Sequence, residues 1–100
     1  MIRLKNMDLV AQSDRETIKA LALQHKVASV RMFGSQVTGR ATESSDIDLL
    51  VRFMKSASLL QVIGFKQAVE EALHRKVDVV EEGGLSPYMR DRILSEAQSI

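Results

Sequence analysis

The fold is decided by residues 33–51, which read FGSQVTGRATESSDIDLLV. An apolar, partly β-branched run over 27–33 leads into this stretch and stops at Gly34, as expected of a strand that ends in a turn. A small and polar segment over 35–45 follows, for which we predict a short helical turn and a loop. A second strand is predicted over 46–53, because its apolar residues alternate onto one face.

Four further elements are predicted on either side of this stretch. A first helix opens at Ser13, and Glu16 three positions later completes a capping box. The strongest helix is predicted over 58–74, a third short strand over 77–80, and a last helix with Ser86 as its N-cap. The apolar face of the strongest helix is predicted to consist of Leu59, Val62, Ile63, Val69, Ala72 and Leu73.

This order of elements predicts an α/β (α+β) chain with one domain over 1–100. The segment over 46–80 is a βαβ crossover, so its two strands should be parallel and their connection right-handed. A three-stranded mixed sheet with helices packed on one face follows. The other face should stay open, with Leu50, Val80 and Arg52 pointing toward it. Gly64 costs roughly 1 kcal/mol inside a helix, which predicts close packing at that position.

Composition excludes several classes of function. The 100 residues are 45% hydrophobic and 27% charged, which is typical of a globular protein. No cysteine is present, so disulfides, thiolate zinc sites and cysteine nucleophiles are excluded. The net charge of +1 and the four aromatic residues argue against direct nucleic-acid binding. Charged residues interrupt the first ten positions, so we expect a cytoplasmic protein without a membrane segment.

Three aspartates stand where the predicted strands bring them together. Asp46 and Asp48 are two positions apart at the start of the second strand, so they point to the same face. Asp78 lies between two valines of the third strand, where it can face the same way. A strand carboxylate among apolar residues is costly to bury unless it binds a cation or a hydrogen-bond donor. Converging carboxylates suit magnesium or manganese.

Gly34 and Ser35 indicate a phosphate site beside these carboxylates. A glycine lets the backbone approach a phosphate closely, because it has no Cβ. Ser35 adds a hydroxyl, and a helical turn that starts beside it would present free amides and the positive end of its dipole. A phosphate site next to magnesium ligands indicates nucleotide chemistry.

These residues resemble the DNA polymerase β-type nucleotidyltransferase superfamily. Its signature is Gly34-Ser35, ten intervening residues, and then Asp46-Ile47-Asp48. The local strings look like the minimal nucleotidyltransferase (MNT) branch, and Val77-Asp78-Val79-Val80 is similar to the strand that carries that family's third carboxylate. The element order agrees over nearly the whole chain.

The resemblance implies ATP as substrate and a catalytic site with two Mg²⁺ ions. Asp46 and Asp48 would hold both ions over the triphosphate, and Asp78 would bind the catalytic ion and accept the proton of the attacking hydroxyl. Ser35 and the amide next to Gly34 would hold the β- and γ-phosphates. For Arg40 two interpretations are equally supported, a phosphate contact and a solvated loop arginine.

The chain has no segment left over to bind an acceptor, so we expect the acceptor hydroxyl to arrive on a partner protein. Exposed apolar positions on the open face would suit such a partner. The resemblance implies a HEPN-family toxin as that partner in a hetero-oligomer. The MNT protein would act as antitoxin by transferring AMP to a tyrosine hydroxyl. The last helix could dock on the partner, although packing on the core is favoured.

Two alternatives remain. In one, the acceptor is a small molecule such as an aminoglycoside. In the other, the chain is a non-catalytic, nucleotide-binding subunit that neutralises its partner by stoichiometric binding. The complete set of candidate residues favours catalysis. That set consists of Gly34, Ser35, Asp46, Asp48 and Asp78.

Overall fold

The computed structural model describes residues 10–34 and 46–100. The predicted turn and loop over 35–45, which include Ser35 and Arg40, lie outside the described residues. In chain order the elements are α1 (Gln12–Gln24), β1 (Val27–Phe33), β2 (Ile47–Phe53), α2 (Leu59–Leu73), β3 (Val77–Glu81), a 3-10 turn (Glu82–Gly84), α3 (Pro87–Glu96) and β4 (Gln98–Ser99).

The sheet confirms the predicted α+β class and the parallel crossover. Its strand order is β3-β2-β1-β4. β2 and β3 are parallel and are joined by α2, whereas β1 is antiparallel to β2. Within residues 10–34 and 46–100 the sheet has one strand more than predicted, because Gln98 and Ser99 pair with Met32 and Arg31 at the outer edge of β1.

The core lies between one face of the sheet and the helices α1 and α2. Phe65 of α2 is completely buried in it and is the largest such side chain. The predicted apolar face of α2 is wrong at Leu59 and Ile63, which are 72% and 43% exposed, and at Ala72, which is exposed near the end of the helix. The cluster consists of Val10, Ile18, Ala22, Val27, Met32, Ile47, Leu49, Val51, Phe65, Val69, Leu73 and Val77.

Gly64 lies where α1 and α2 come close together, as predicted from its place in a helix. A Cβ at Gly64 would stand 3.2 Å from both Cε1 and Nδ1 of His25 at the end of α1. The His25 ring also packs against Phe65, with ring centroids 6.2 Å apart. The missing side chain therefore makes room for the histidine that closes α1.

The first helix begins differently from the prediction. α1 starts at Gln12, its N-cap is Ala11, and no side chain caps it. Ser13 thus lies inside the first turn, so the predicted capping box is wrong. The carboxylate of Glu16 accepts a hydrogen bond from Gln12 at 3.3 Å. Burial of Val10, which is only 1% exposed, fixes where the chain enters the helix.

The other two predicted helix starts are confirmed in the structure. Ser58 is the N-cap of α2. Ser86 is the N-cap of α3, its hydroxyl accepts a hydrogen bond from the amide of Tyr88 at 3.2 Å, and Pro87 follows at the first helical position. A proline costs no hydrogen bond there, since the first amides of a helix have no partner within it.

The middle of the carboxylate face is buried, which corrects the prediction that this face of the sheet stays open. Leu50 is only 1% exposed, although the alternation of β2 places it on the face predicted to stay open. Together with Ile93 of α3 it is buried outside the main core cluster. The chain from β3 to β4 has to cross β2 and β1, and an ion pair of 2.7 Å between Arg31 and Glu82 places the crossing on this face. From this path we infer that α3 covers Leu50, whereas Arg52 is exposed as predicted.

Candidate active site

Asp48 and Asp78 are direct partners across the parallel strands β2 and β3. Ile47 and Leu49 on either side of Asp48 are fully buried in the core, and they fix the strand so that Asp48 points to the opposite face. Val77 does the same for Asp78. Because side chains of a strand alternate between faces, the shared register brings both carboxyl groups to one side of the sheet, as predicted.

Both the burial and the charges of this site act on Asp48. Partial burial, followed by the negative charges of Asp78 and Asp46, raises the pKa of Asp48 from its ordinary value of 3.8 to about 6. The side chains of Asp48 and Asp78 also share a hydrogen bond, which favours the protonated acid. Two neighbouring carboxylates repel each other when no cation is bound between them.

The carboxylates suit a divalent cation by their chemistry, although not as a ready-made triad. Among the described residues no three acidic or histidine side chains are grouped so that they could hold one ion. Asp48 and Asp78 provide adjacent oxygen ligands, and Asp46 adds its charge at the start of β2. A bound Mg²⁺ would relieve the repulsion that raises the pKa of Asp48, so this donor set fits the ion.

Gly34 ends β1 directly beside this pair. Its φ of +76° lies in the left-handed region that side chains other than glycine rarely adopt. A Cβ at this position would overlap Oδ2 of Asp48 and would lie 3.2 Å from its Cγ. The residue before it, Phe33, is the antiparallel partner of Asp48. Gly34 therefore leaves the space that the Asp48 carboxylate occupies.

The structure thus brings together Gly34, Asp48 and Asp78, with Asp46 close enough for its charge to act on Asp48. Ser35 and Arg40 are not among the described residues. Sequence reasoning missed the pairing of Arg31 with Glu82, which lies one step further along the same face. The signal was available in part, since Arg31 interrupts the apolar run of β1 and must point away from the core.

An α+β sheet with an acidic pair on adjacent parallel strands, beside a glycine turn, defines a nucleotidyltransferase fold. The comparisons with known proteins agree. A family model described as "Nucleotidyltransferase domain" matches residues 14–100. The chain belongs to this nucleotidyltransferase family.

Two sequence relatives extend over most of both chains. MJ0435 of Methanocaldococcus jannaschii, named as a candidate protein adenylyltransferase, is 37% identical over 86 residues, which are 86% of this chain and 92% of that protein. The protein adenylyltransferase MntA of Thermococcus cleftensis is 34% identical in an alignment of 89 positions that covers 81% of this chain and 90% of that protein.

Solved structures share the fold. A candidate minimal nucleotidyltransferase has a TM-score of 0.82 at 40% identity, with 97% of this chain and 100% of that chain covered. A toxin–antitoxin complex with AMP-PNP has a TM-score of 0.72 at 22% identity, covering 85% and 70%. A tri-AMPylated Shewanella oneidensis HEPN toxin in complex with its MNT antitoxin has a TM-score of 0.66 at 21% identity, covering 88% and 69%. The last two demonstrate likeness of fold.

No helix within the described ranges combines the length and the apolar character that a membrane crossing requires.

Proposed function

We propose that this chain is a Mg²⁺-dependent protein adenylyltransferase that moves AMP from ATP to a tyrosine hydroxyl of a HEPN-family toxin, and so acts as its antitoxin in the cytoplasm. The observation that carries the proposal is the pairing of Asp48 with Asp78 on one face of the sheet. Support for the acceptor comes from relatives named protein adenylyltransferases and from the related fold that is complexed with an AMPylated HEPN toxin.

The reaction requires one bond to form and one to break. The acceptor oxygen attacks the α-phosphorus of ATP, the bond between the α- and β-phosphates breaks, and pyrophosphate leaves. Asp78 accepts the proton of the attacking hydroxyl, a role that its place on the exposed edge strand β3 allows. Asp46 and Asp48 would hold Mg²⁺ together with Asp78. The ions would neutralise phosphate charge and orient the triphosphate.

The turn at the end of β1 supplies the other half of the site. Gly34 keeps space beside Asp48. We assign Ser35 and the backbone amide next to Gly34 to the β- and γ-phosphates, because a hydroxyl and free amides are good donors to phosphate oxygens. Arg40, in the same segment, is assigned to a phosphate contact, which would stabilise the negative charge of the leaving pyrophosphate.

A second candidate function is stoichiometric masking of the partner by a chain that binds nucleotide without transferring it. One observation favours it: the acidic side chains within the described residues do not form a ready-made group of three. The two functions differ in what the carboxylates do. Masking requires the surface of the chain, whereas transfer requires Asp46 and Asp48 themselves.

The test uses ATP labelled on its α-phosphate, Mg²⁺, this chain and the protein encoded beside it. We expect label on the partner with the wild type and a loss of about 100-fold or more with the Asp46→Ala/Asp48→Ala variant. Asp91→Ala removes an exposed aspartate of α3 and should leave the labelling unchanged. Neutralisation of the toxin by the double variant without transfer of label would favour masking. Label on a small molecule instead would overturn the protein acceptor.

A further inference from the structure

A groove of about 360 Å³ with mostly charged lining residues opens on the carboxylate face beyond Leu50. It lies between the end of the parallel strand pair and the beginning of α3, and none of its residues has a part in the proposed chemistry. Its lining consists of Arg52, Glu81, Glu82, Gly83 and Arg90.

The groove lies on the same face as the catalytic carboxylates. Arg52 and Asp48 are both on β2, an even number of positions apart, so their side chains point to the same side of the sheet. At about 3.3 Å per residue the separation along the strand is about 13 Å. A protein interface typically buries about 800 Å² on each partner, a patch about 30 Å across. One docked protein can therefore reach both the carboxylates and the groove.

The charge of the groove is positive once its ion pair is counted. The carboxylate of Glu82 accepts a hydrogen bond from Arg31 at 2.7 Å, and Arg31 lies outside the groove. The carbonyl of Glu82 accepts a second hydrogen bond, from Arg90 at 3.3 Å. With Glu82 neutralised from outside, two arginines face the single carboxylate of Glu81. The groove thus has a small excess of positive charge.

The groove is held in place by rigid elements. Arg52 belongs to a central strand whose neighbour Val51 is completely buried. Arg90 is held against the 3-10 turn by its hydrogen bond to the carbonyl of Glu82. The space beside Gly83 is open, because a Cβ there would meet no atom within 4 Å. An arginine on a fixed scaffold loses less freedom when it binds a carboxylate, and it can bind both oxygens at once.

We propose that this groove binds an acidic segment of the acceptor protein and so directs the acceptor hydroxyl toward Asp78. The inference rests on the proposed transfer to a protein, and it adds the surface that selects that protein. A carboxylate of the partner complements Arg52 and Arg90. A nucleic acid is disfavoured, because its continuous phosphate charge would meet Glu81 and the chain carries a net charge of only +1.

The experiment measures docking separately from transfer. Binding of the protein encoded beside this chain is measured by calorimetry without ATP, for the wild type and for the variants Arg52→Glu and Arg90→Glu. We expect each reversal to raise the Kd about ten-fold, the double reversal to raise it further, and the KM for ATP to stay within about two-fold. Arg52→Lys and Arg90→Lys should recover part of the affinity, since they keep the charge and lose only the planar geometry.

Arg92→Glu is the matched control. Arg92 is on the same helix as Arg90, its side chain is 65% exposed, and it lies outside the groove. The inference would be overturned if the groove variants bound the partner as tightly as the wild type does, or if Arg92→Glu lowered the affinity equally. Partner binding that depends on the groove, without transfer of label, would contradict only the proposed chemistry. Competition by RNA at the same residues would indicate a nucleic-acid site instead.

Discussion

Asp48 and Asp78 occupy the same register position on neighbouring parallel strands, and their side chains share a hydrogen bond. Partial burial and two negative neighbours raise the pKa of Asp48 to about 6. The pair is therefore most strained at pH values at which Asp48 is ionised, and a cation would relieve that strain. The site is built for a ligand at the expense of its stability without one.

The strain gives a pH dependence of stability without metal. An acid with a raised pKa in the folded state binds its proton more tightly there, so its stabilising effect is complete below the ordinary value of 3.8 and is lost as the pH rises through about 6. We expect Asp48→Asn in EDTA to be more stable than the wild type at pH 8, by about 1–2 kcal/mol after allowance for solvent screening. Urea unfolding at pH 4 and pH 8 measures the difference, which should shrink toward pH 4. Asp91→Asn serves as the control, and a difference that is constant with pH would contradict the prediction.

Gly34→Ala should disable the site. The positive φ alone costs about 1–2 kcal/mol, and the new Cβ would displace the Asp48 carboxylate. We expect a lower melting temperature together with a loss of adenylyl transfer. Gly84→Ala is the comparison, because a Cβ there meets no atom within 4 Å and Gly84 lies outside the groove, and it should transfer AMP normally. Equal activity of the two alanine variants would contradict the assigned role of Gly34.

Leu50→Ala tests whether α3 covers the carboxylate face. A leucine that is 1% exposed loses about 2–5 kcal/mol of stability on truncation to alanine. The same change at Leu60, which is 79% exposed on α2, should cost less than about 0.5 kcal/mol. Chemical unfolding of both variants measures the contrast. A small effect at Leu50 would mean that this face is open.

The close approach at Gly64 predicts a coupling between two helices. Gly64→Ala gains up to about 1 kcal/mol of helix propensity but pushes its Cβ against the His25 ring. In a His25→Ala background the ring is gone, so Gly64→Ala should be more favourable there than in the wild type. A double-mutant cycle of unfolding free energies measures this coupling. Additive effects would show that the histidine moves aside without cost.

We expect the stability that Glu70 gives to the start of β3 to decrease at acidic pH. Its carboxylate accepts hydrogen bonds from the amide of Val77 at 2.9 Å and from Lys66 at 3.0 Å, and these contacts lower its pKa. A lowered pKa means that the stabilisation is present above the ordinary value of 4.5 and is lost as the pH falls below it. Glu70→Gln should lower the melting temperature at pH 7 more than at pH 3. Glu71→Gln, at an exposed position on the same helix, should change it little at either pH. Equal shifts in both variants would refute the linkage.

The carboxylate face could be predicted because two short-range rules determine it. Alternation along β2 places Asp48 opposite to Leu49, and the handedness of a βαβ crossover places β3 beside β2. Neither rule requires knowledge of the rest of the chain. The pairing of Asp48 with Asp78 was therefore accessible from their neighbours in the sequence.

The cover over Leu50 could not be predicted in the same way. It depends on the path of α3 between the two edges of the sheet, and that path is set by long-range contacts such as the one from Arg31 to Glu82. The start of α1 was missed for a related reason. Ser13 has good local capping chemistry, but the burial of Val10 starts the helix before it. Tertiary packing overrode a local preference in both cases.

The crossover also determines what happens when the protein is damaged. Asp48 and Asp78 are next to each other only while α2 is folded over the sheet, with Phe65 and Val69 in the core. α2 thus holds the two strands of the site together. When α2 unfolds away from the sheet, the two carboxylates are separated. Ligands that bind the assembled pair should slow hydrogen exchange along α2. A molecule in which α2 has opened should therefore lose the carboxylate pair as a unit.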